Sequence, residues 1–158
     1  MWVVQEEAEE DILRLGGVSE SEMNQSIGRS TRRRFIWLFL NLLTAILASY
    51  VISLFDASIE KMVALAILMP IVASMGGNAG TQTLTLTVRA IATKELVDNN
   101  RRKVFFKEIA ISVLNGILFA IITGFAAWIW FSDISLSIIV GAAMVINILS
   151  AGLFGFLI

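Results

Sequence analysis

Hydrophobic residues dominate four long stretches of the chain, and short polar segments separate these stretches. The stretches cover about residues 35–55, 62–88, 109–131 and 134–158. Each is long enough to cross a bilayer, because a spanning helix needs about 20 mostly apolar residues. Helices are expected rather than open strands, since backbone groups in hydrocarbon must find their hydrogen-bond partners within the segment. The pattern therefore predicts an all-α polytopic membrane protein with four transmembrane helices in this chain.

Composition supports a membrane protein and disfavours several other classes. Hydrophobic residues make up 57% of the chain and charged residues 16%, against about 45–50% and about 25% in soluble domains. The chain has no cysteine and no histidine, which removes thiolate chemistry and the commonest general base. No carboxylate pair lies within the apolar stretches either, so an enzyme is not expected. The net charge of −1 gives no electrostatic reason to expect nucleic acid as a partner.

The distribution of basic residues predicts the orientation of the chain in a cell membrane. All Lys and Arg residues except Lys61 lie before the first apolar stretch or between the second and third. Because positive charges favour the cytoplasmic side, the N-terminus and the segment 89–108 are expected to face the cytoplasm. The sequence thus predicts a multi-pass protein of the plasma or inner membrane.

An acidic segment precedes the membrane region and divides the chain into three predicted parts. Residues 3–15 predict an amphipathic helix, and Gly16 and Gly17 end it. Carboxylates crowd this helix, at Glu6, Glu7, Glu9, Glu10 and Asp11. Such a run is either a solvated face or a binding site for Mg²⁺, which prefers carboxylate oxygen. The predicted parts are an acidic helix (1–17), a linker or connecting helix (18–34) and a transmembrane domain (35–158).

The second apolar stretch carries an unusual polar motif, PIVASMGGNAGTQTLTLTVRA, which begins at Pro70. Proline removes a backbone hydrogen bond, and the glycines permit unwinding. A broken helix that lines a watery cavity is one interpretation, because the motif places neutral oxygens at Asn78, Thr81, Gln82, Thr83, Thr85 and Thr87. The other is helix–helix packing through small residues, since Gly76 and Gly80 have the required spacing.

The extended motif MPIVASMGGNAGTQTLTLTVRAIA resembles the second-helix segment that is the hallmark of the MgtE family of magnesium transporters. The stretch VVQEEAEEDILRLGGV is similar to the end of the family's CBS-domain region, and RRKVFFKEIAISVLNG is similar to the start of its third span. The resemblance implies a homodimeric, channel-like protein that passes Mg²⁺ down its electrochemical gradient. It also implies that intracellular Mg²⁺ closes the channel.

The same resemblance implies roles for particular residues. Those expected along the ion pathway are Gly76, Gly77, Asn78, Thr81, Gln82 and Glu108. Regulatory Mg²⁺ is expected at Glu7, Glu10 and Asp11. For Glu108, an interfacial flank with Lys107 is the alternative. Asn41, Asn115 and Asn147 are expected to form hydrogen bonds between helices rather than to bind ions.

The chain also departs from the family pattern. The family has a fifth spanning helix with an aspartate at its ion-selective site, and this chain ends at Ile158 within its fourth apolar stretch, as a fragment would. Two other functions stay open: a cation exchanger coupled to Na⁺ or H⁺, and a membrane scaffold that transports nothing. Co²⁺ or Ni²⁺ could accompany Mg²⁺ as transported ions.

Overall fold

The chain folds into helices, most of them long enough to cross a membrane. The computed structural model describes residues 10–16, 18 and 25–157. We number the helices α1 (Ile27–Ser53), α2 (Asp56–Lys61), α3 (Val63–Ala92), α4 (Asp98–Phe131) and α5 (Ile134–Leu157). Four of them, α1, α3, α4 and α5, have the length and hydropathy of membrane spans. The prediction of an all-α polytopic membrane protein is confirmed.

The structure consists of two compact units, Met1–Lys61 and Met62–Ile158. In the first unit, residues 10–15 are helical, and the Gly16 N–H closes the following turn by donating to the Leu13 carbonyl at 3.0 Å. The earlier part of the predicted acidic helix lies outside the described residues. Helix α1 begins before the predicted span, so its first turns include Arg29 and Arg32.

The polar segments that separate the second apolar stretch from its neighbours are largely helical. Residues 56–61 form the short helix α2, with the Asp56 carboxylate in its first turn, where the helix dipole favours negative charge. Only residues 93–97 separate α3 from α4. Asn100 caps the start of α4: its side chain accepts from the Val97 N–H at 3.0 Å and donates to the Glu95 carbonyl at 2.8 Å. A helix satisfies its backbone equally well in water, so it need not end where the apolar stretch ends.

In the second unit, α5 packs along both α3 and α4, whereas α3 and α4 contact each other little. The hydrophobic core lies where α3 and α5 begin and α4 ends, and it contains Leu68, Ala127, Leu136 and Val140. Helix α5 therefore acts as a spacer that holds the other two helices apart over much of their length.

Close approach to α5 depends on residues without bulky side chains. A Cβ atom at Gly116 would lie 3.3 Å from the Val145 Cα, and one at Gly141 would lie 3.4 Å from the Ala120 carbonyl oxygen. Apolar side chains gain little from one another when lipid is the alternative neighbour, so helices in membranes associate through close contacts of this kind.

Helix α3 is continuous from Val63 to Ala92, with Pro70 inside it. The predicted break in this helix is therefore wrong. Proline removes only one intrahelical donor, and membrane helices tolerate this loss when neighbouring helices support them. The packing interpretation of the glycines is supported at Gly76, which is buried and where a Cβ would overlap the Asn147 side chain of α5.

Candidate functional site

A polar crevice opens between α3 and α4 in the second unit, with a volume of about 480 Å³. We define this polar crevice by its polar lining residues, which are Asn78, Thr81, Gln82 and Thr83 on α3 and Glu108, Ser112 and Asn115 on α4. Apolar side chains complete the lining, namely Met75, Ala79 and Leu86 on α3, Ile111 and Phe119 on α4, and Ile148 on α5. The crevice follows from the architecture, because α5 separates two helices that otherwise touch little.

Regular helical spacing brings these side chains onto two facing walls. On α4, Glu108, Ser112 and Asn115 follow one another at intervals of four and three residues, so they share one face of the helix. On α3, Asn78 lies one turn before Thr81 and Gln82. An unbroken α3 therefore presents side-chain oxygens to the crevice without any unwinding of its backbone.

Glu108 provides the only carboxylate in the lining of the polar crevice. The Lys107 side chain is exposed, and the Glu108 side chain is half-buried. Within residues 10–16, 18 and 25–157, the ion pairs found join other side chains and leave Glu108 without one. Its position beside Ser112 and Asn115 favours a role in the crevice over that of a simple interfacial flank. A carboxylate among neutral oxygens makes this the part of the crevice that attracts cations most strongly.

Thr81 uses its hydroxyl hydrogen within α3. Its Oγ1 donates to the Gly77 carbonyl at 2.9 Å, which leaves the lone pairs of the hydroxyl oxygen as acceptors. Gly77 itself does not line the crevice, and a Cβ at this position would meet nothing within 4 Å. Gly76 is buried, and a Cβ there would overlap the Asn147 side chain. The structure thus brings together Asn78, Thr81, Gln82 and Glu108, while Gly76 and Gly77 lie outside the lining.

Sequence reasoning missed Ser112 as a site residue and assigned Asn115 to helix packing. In the described part of the chain, the Asn115 side chain forms no hydrogen bond to another helix, and it lines the crevice instead. Helical spacing from Glu108 was the signal that could have identified both residues. The expectation for Asn147 is confirmed, because its Nδ2 donates to the Val72 carbonyl of α3.

The predicted regulatory residues are only partly described. Glu7 lies outside the described residues. Glu10 and Asp11 both contact Arg14, at 2.8 Å and 3.6 Å between nitrogen and oxygen. Among the residues that the structure describes, no group of three or more Asp, Glu, His or Cys side chains could hold a metal ion. Regulatory Mg²⁺ binding at this segment stays a prediction.

A second cavity, of about 570 Å³, lies between α4 and α5 and differs chemically from the polar crevice. Its lining includes Ile121, Phe125, Trp128 and Ile138. Apolar side chains offer no ligand to a cation. Of these two cavities, the polar crevice is therefore the candidate site for an ion.

Membrane-spanning helices around a crevice that is lined partly by side-chain oxygens define a polytopic membrane protein with a candidate cation site. The model of the MgtE family, described as a divalent cation transporter, matches residues 69–158. This match covers the whole polar crevice. The chain belongs to this family.

Three curated relatives agree with this assignment. The chain is 31% identical over 156 residues to the magnesium transporter MgtE of Thermus thermophilus, an alignment that covers 97% of the chain and 34% of the relative. Identity to the magnesium transporter MgtE of Enterococcus faecalis is 27%, over 99% of the chain and 34% of the relative. Identity to the magnesium transporter MgtE of Bacillus subtilis is 28%, in an alignment that covers 80% of the chain and 28% of the relative. The chain thus spans about a third of the length of these relatives.

Proposed function

We propose that this protein transports Mg²⁺ across the membrane through the polar crevice between α3 and α4. The observation that carries this proposal is the crevice lining, in which one carboxylate lies among amide, hydroxyl and apolar side chains. Mg²⁺ prefers oxygen ligands and gives up its water reluctantly. Six waters at about 30 Å³ each occupy about 180 Å³, so a volume of about 480 Å³ accommodates a hydrated ion.

In this proposal the two walls of the crevice have different tasks. The neutral side chains Asn78, Thr81 and Gln82 accept hydrogen bonds from the water shell of the ion. Glu108 supplies the negative charge that raises the local concentration of the cation. In this proposal transport is channel-like, and the membrane potential drives it. A divalent ion gains about 4.6 kcal/mol per 100 mV when it moves down this potential. Because recognition acts on the hydrated ion, Co²⁺ and Ni²⁺ are further candidate substrates.

Regulation, assembly and orientation belong to the same proposal. Regulatory Mg²⁺ binds Glu7, Glu10 and Asp11 and closes the pathway when the intracellular concentration is high, and the protein is a homodimer with its N-terminus in the cytoplasm. Support for the regulatory site comes from Glu10 and Asp11, which lie next to each other on a helical segment. Arg14 occupies both carboxylates, and exposed ion pairs of this kind are weak enough for a divalent ion to displace.

A coupled exchanger is the second candidate function. One observation favours it: Glu108 is a titratable group in the lining of the crevice, and carboxylates inside membrane proteins often relay protons. Proteoliposomes that carry a pH-sensitive dye separate the two functions. A proton-coupled exchanger moves protons whenever Mg²⁺ enters, and a Na⁺-coupled exchanger requires Na⁺ on the opposite side of the membrane, whereas a channel produces uptake without a stoichiometric proton flux and without Na⁺.

The first test is Mg²⁺ uptake into proteoliposomes by the wild-type protein and by Asn78→Ala. Removing the amide takes a hydrogen-bond acceptor away from the water shell of the ion, so we expect uptake to fall by about tenfold, as for a loss of about 1.4 kcal/mol. Asn41→Ala is the matched control, because it makes the same change on α1. Full uptake by a folded Asn78→Ala protein would remove the crevice from the ion pathway.

A further inference from the structure

Helix α3 and helix α5 interlock at one polar contact outside the crevice lining. The Asn147 side chain of α5 donates from Nδ2 to the Val72 carbonyl of α3. It reaches this carbonyl because Gly76, one turn further along α3, has no side chain in the way. We call this contact, formed by Asn147, Val72 and Gly76, the Asn147 interlock.

The face of α3 that carries the interlock continues along α5. Gly76, Thr83 and Thr87 are buried at turn-like intervals, and Gly80 lies between them in contact range of Ala151. The crevice residues Asn78 and Gln82 occupy a different face of the same helix, and Thr83 belongs both to the buried face and to the crevice lining. A one-residue slip of α3 along its own axis would rotate it by about 100° and translate it by about 1.5 Å. The contact with α5 therefore determines which side chains of α3 face the crevice.

Small residues alone do not fix this register strongly. Glycines and alanines allow close approach at several neighbouring positions, whereas a hydrogen bond joins one donor to one acceptor. A polar group in an apolar interface is costly when it lacks its partner, so every displaced register is penalised. Single buried asparagines determine register in coiled coils by the same means.

We propose that Asn147 is a positioning residue, which fixes the axial register of α3 against α5 and so directs Asn78, Thr81 and Gln82 into the polar crevice. Its consequence for transport rests on the proposed function. Its structural part concerns only the contact between α3 and α5, so it can be measured without any transport.

Disulfide formation measures the register directly. The chain contains no cysteine, and the Gly80→Cys and Ala151→Cys pair would place two Cβ atoms about 3.7 Å apart, close to the mean of about 3.8 Å for disulfides. In membranes we expect this pair to cross-link quickly under mild oxidation. Adding Asn147→Leu, which keeps the size of the side chain but removes the donor, should slow cross-linking by about threefold or more, because interhelical hydrogen bonds in membranes are of modest strength. Asn41→Leu makes the same change on α1 and should leave the rate unaltered.

A size exchange at the interlock provides an independent test, which also applies if Asn147→Leu fails to assemble. Gly76→Ala alone should slow cross-linking, since its methyl group would overlap the Asn147 side chain. In combination with Asn147→Ala the overlap disappears, so the rate should rise from that of Gly76→Ala to that of Asn147→Ala alone, which stays below that of the parent pair because the donor is missing. Such recovery is non-additive behaviour, which two unrelated structural defects would not show.

Transport by the same variants, without the added cysteines, connects the register to the pathway. Asn147→Leu should raise the Mg²⁺ concentration for half-maximal uptake by about threefold, and Gly76→Ala with Asn147→Ala should behave like Asn147→Ala alone. An unchanged cross-linking rate in Asn147→Leu, or additive effects in the size exchange, would overturn the inference. If cross-linking depends on Asn147 while Asn78→Ala leaves uptake intact, the proposed ion pathway is wrong. The inference that Asn147 fixes the register of α3 against α5 then still holds.

Discussion

At the scale of single residues, Glu108 stands apart from the rest of the polar crevice. The other polar lining residues are amides and hydroxyls, which carry no net charge. A carboxylate instead distinguishes a cation from water by charge. Glu108 therefore accounts for attraction, and the neutral oxygens account for the fit of a hydrated ion.

Replacing Glu108 with glutamine tests this division of labour. Glu108→Gln keeps the shape of the side chain and removes its charge. Two unit charges 4 Å apart attract by about 1 kcal/mol in water, and a divalent ion by about twice that. We therefore expect the Mg²⁺ concentration for half-maximal uptake to rise by about tenfold or more. The rate of uptake at saturating Mg²⁺ should fall by a smaller factor.

The control for this charge is Glu95→Gln, which neutralises an exposed carboxylate 3.9 Å from Arg89. This variant should transport like the wild type, because exposed ion pairs contribute little. Equal effects of the two substitutions would show that net charge, rather than the position of Glu108, determines uptake.

At the scale of elements, α3 combines a proline with an unbroken helix. Pro70 lies in the eighth position of α3, and its ring nitrogen cannot donate to the carbonyl one turn earlier. The helix nevertheless continues to Ala92. The polar crevice therefore uses side-chain oxygens rather than backbone carbonyls that unwinding would release.

If the continuous helix is the stable form, Pro70→Ala should strengthen it. The alanine regains one backbone donor, so we expect stability to rise by about 1 kcal/mol. Thermal unfolding in detergent measures this change. Ser74→Ala is the control, since it alters an exposed position of α3 without adding a backbone donor. A lower unfolding temperature for Pro70→Ala would indicate that the protein requires a kink at this position.

The close contact between α3 and α5 predicts that an added methyl group at this interface lowers the stability of the protein. A Cβ at Gly155 would lie 2.7 Å from the Gly80 carbonyl oxygen, which the rigid helix backbone cannot avoid. We expect Gly155→Ala to destabilise the protein by about 1–3 kcal/mol, as overpacking usually does, and to lower the unfolding temperature. A Cβ at Gly28 in α1 would meet no heavy atom within 4 Å. Gly28→Ala should therefore be neutral or stabilising, because alanine favours helices. The same loss of stability in both variants would contradict the packing argument.

At the scale of the whole molecule, apolar side chains remain exposed along the spans. Ile122 is 59% exposed and Ile129 63% exposed, both on α4. Surfaces of this kind suit hydrocarbon rather than water. Basic residues cluster at the start of α4, at Arg101, Arg102 and Lys103, and the distribution of positive charge predicts that this end faces the cytoplasm.

Single cysteines test this orientation, since the chain has none of its own. Ser135→Cys, near the start of α5, should react with an impermeant thiol reagent added outside intact cells. Asn99→Cys, near the start of α4, should react only after the membrane is opened. Both positions are exposed, so access to the reagent depends on the side of the membrane. The reverse pattern would invert the predicted topology.

The apolar stretches and the polar motif could be interpreted from the sequence, whereas several details of the site could not. Residue types and the family resemblance predicted Asn78, Thr81, Gln82 and Glu108 for an ion pathway, and the structure places all four in the lining of the polar crevice. Gly76 and Gly77 were assigned to the pathway with them, yet the structure places neither in the lining. A glycine serves equally for unwinding and for packing, and only the neighbouring helix distinguishes the two uses.

The sequence by itself determined that the chain forms membrane helices, because the length of an apolar stretch and the need to satisfy its backbone depend on local properties alone. It also determined which side chains could bind a hard cation. The tertiary structure decided where those side chains meet. Ser112 and Asn115 face the α3 motif because α5 separates α3 from α4, and Asn147 reaches the Val72 carbonyl through the space left at Gly76. Such pairings join residues far apart in the chain, and their register depends on packing between helices, which local sequence patterns do not encode.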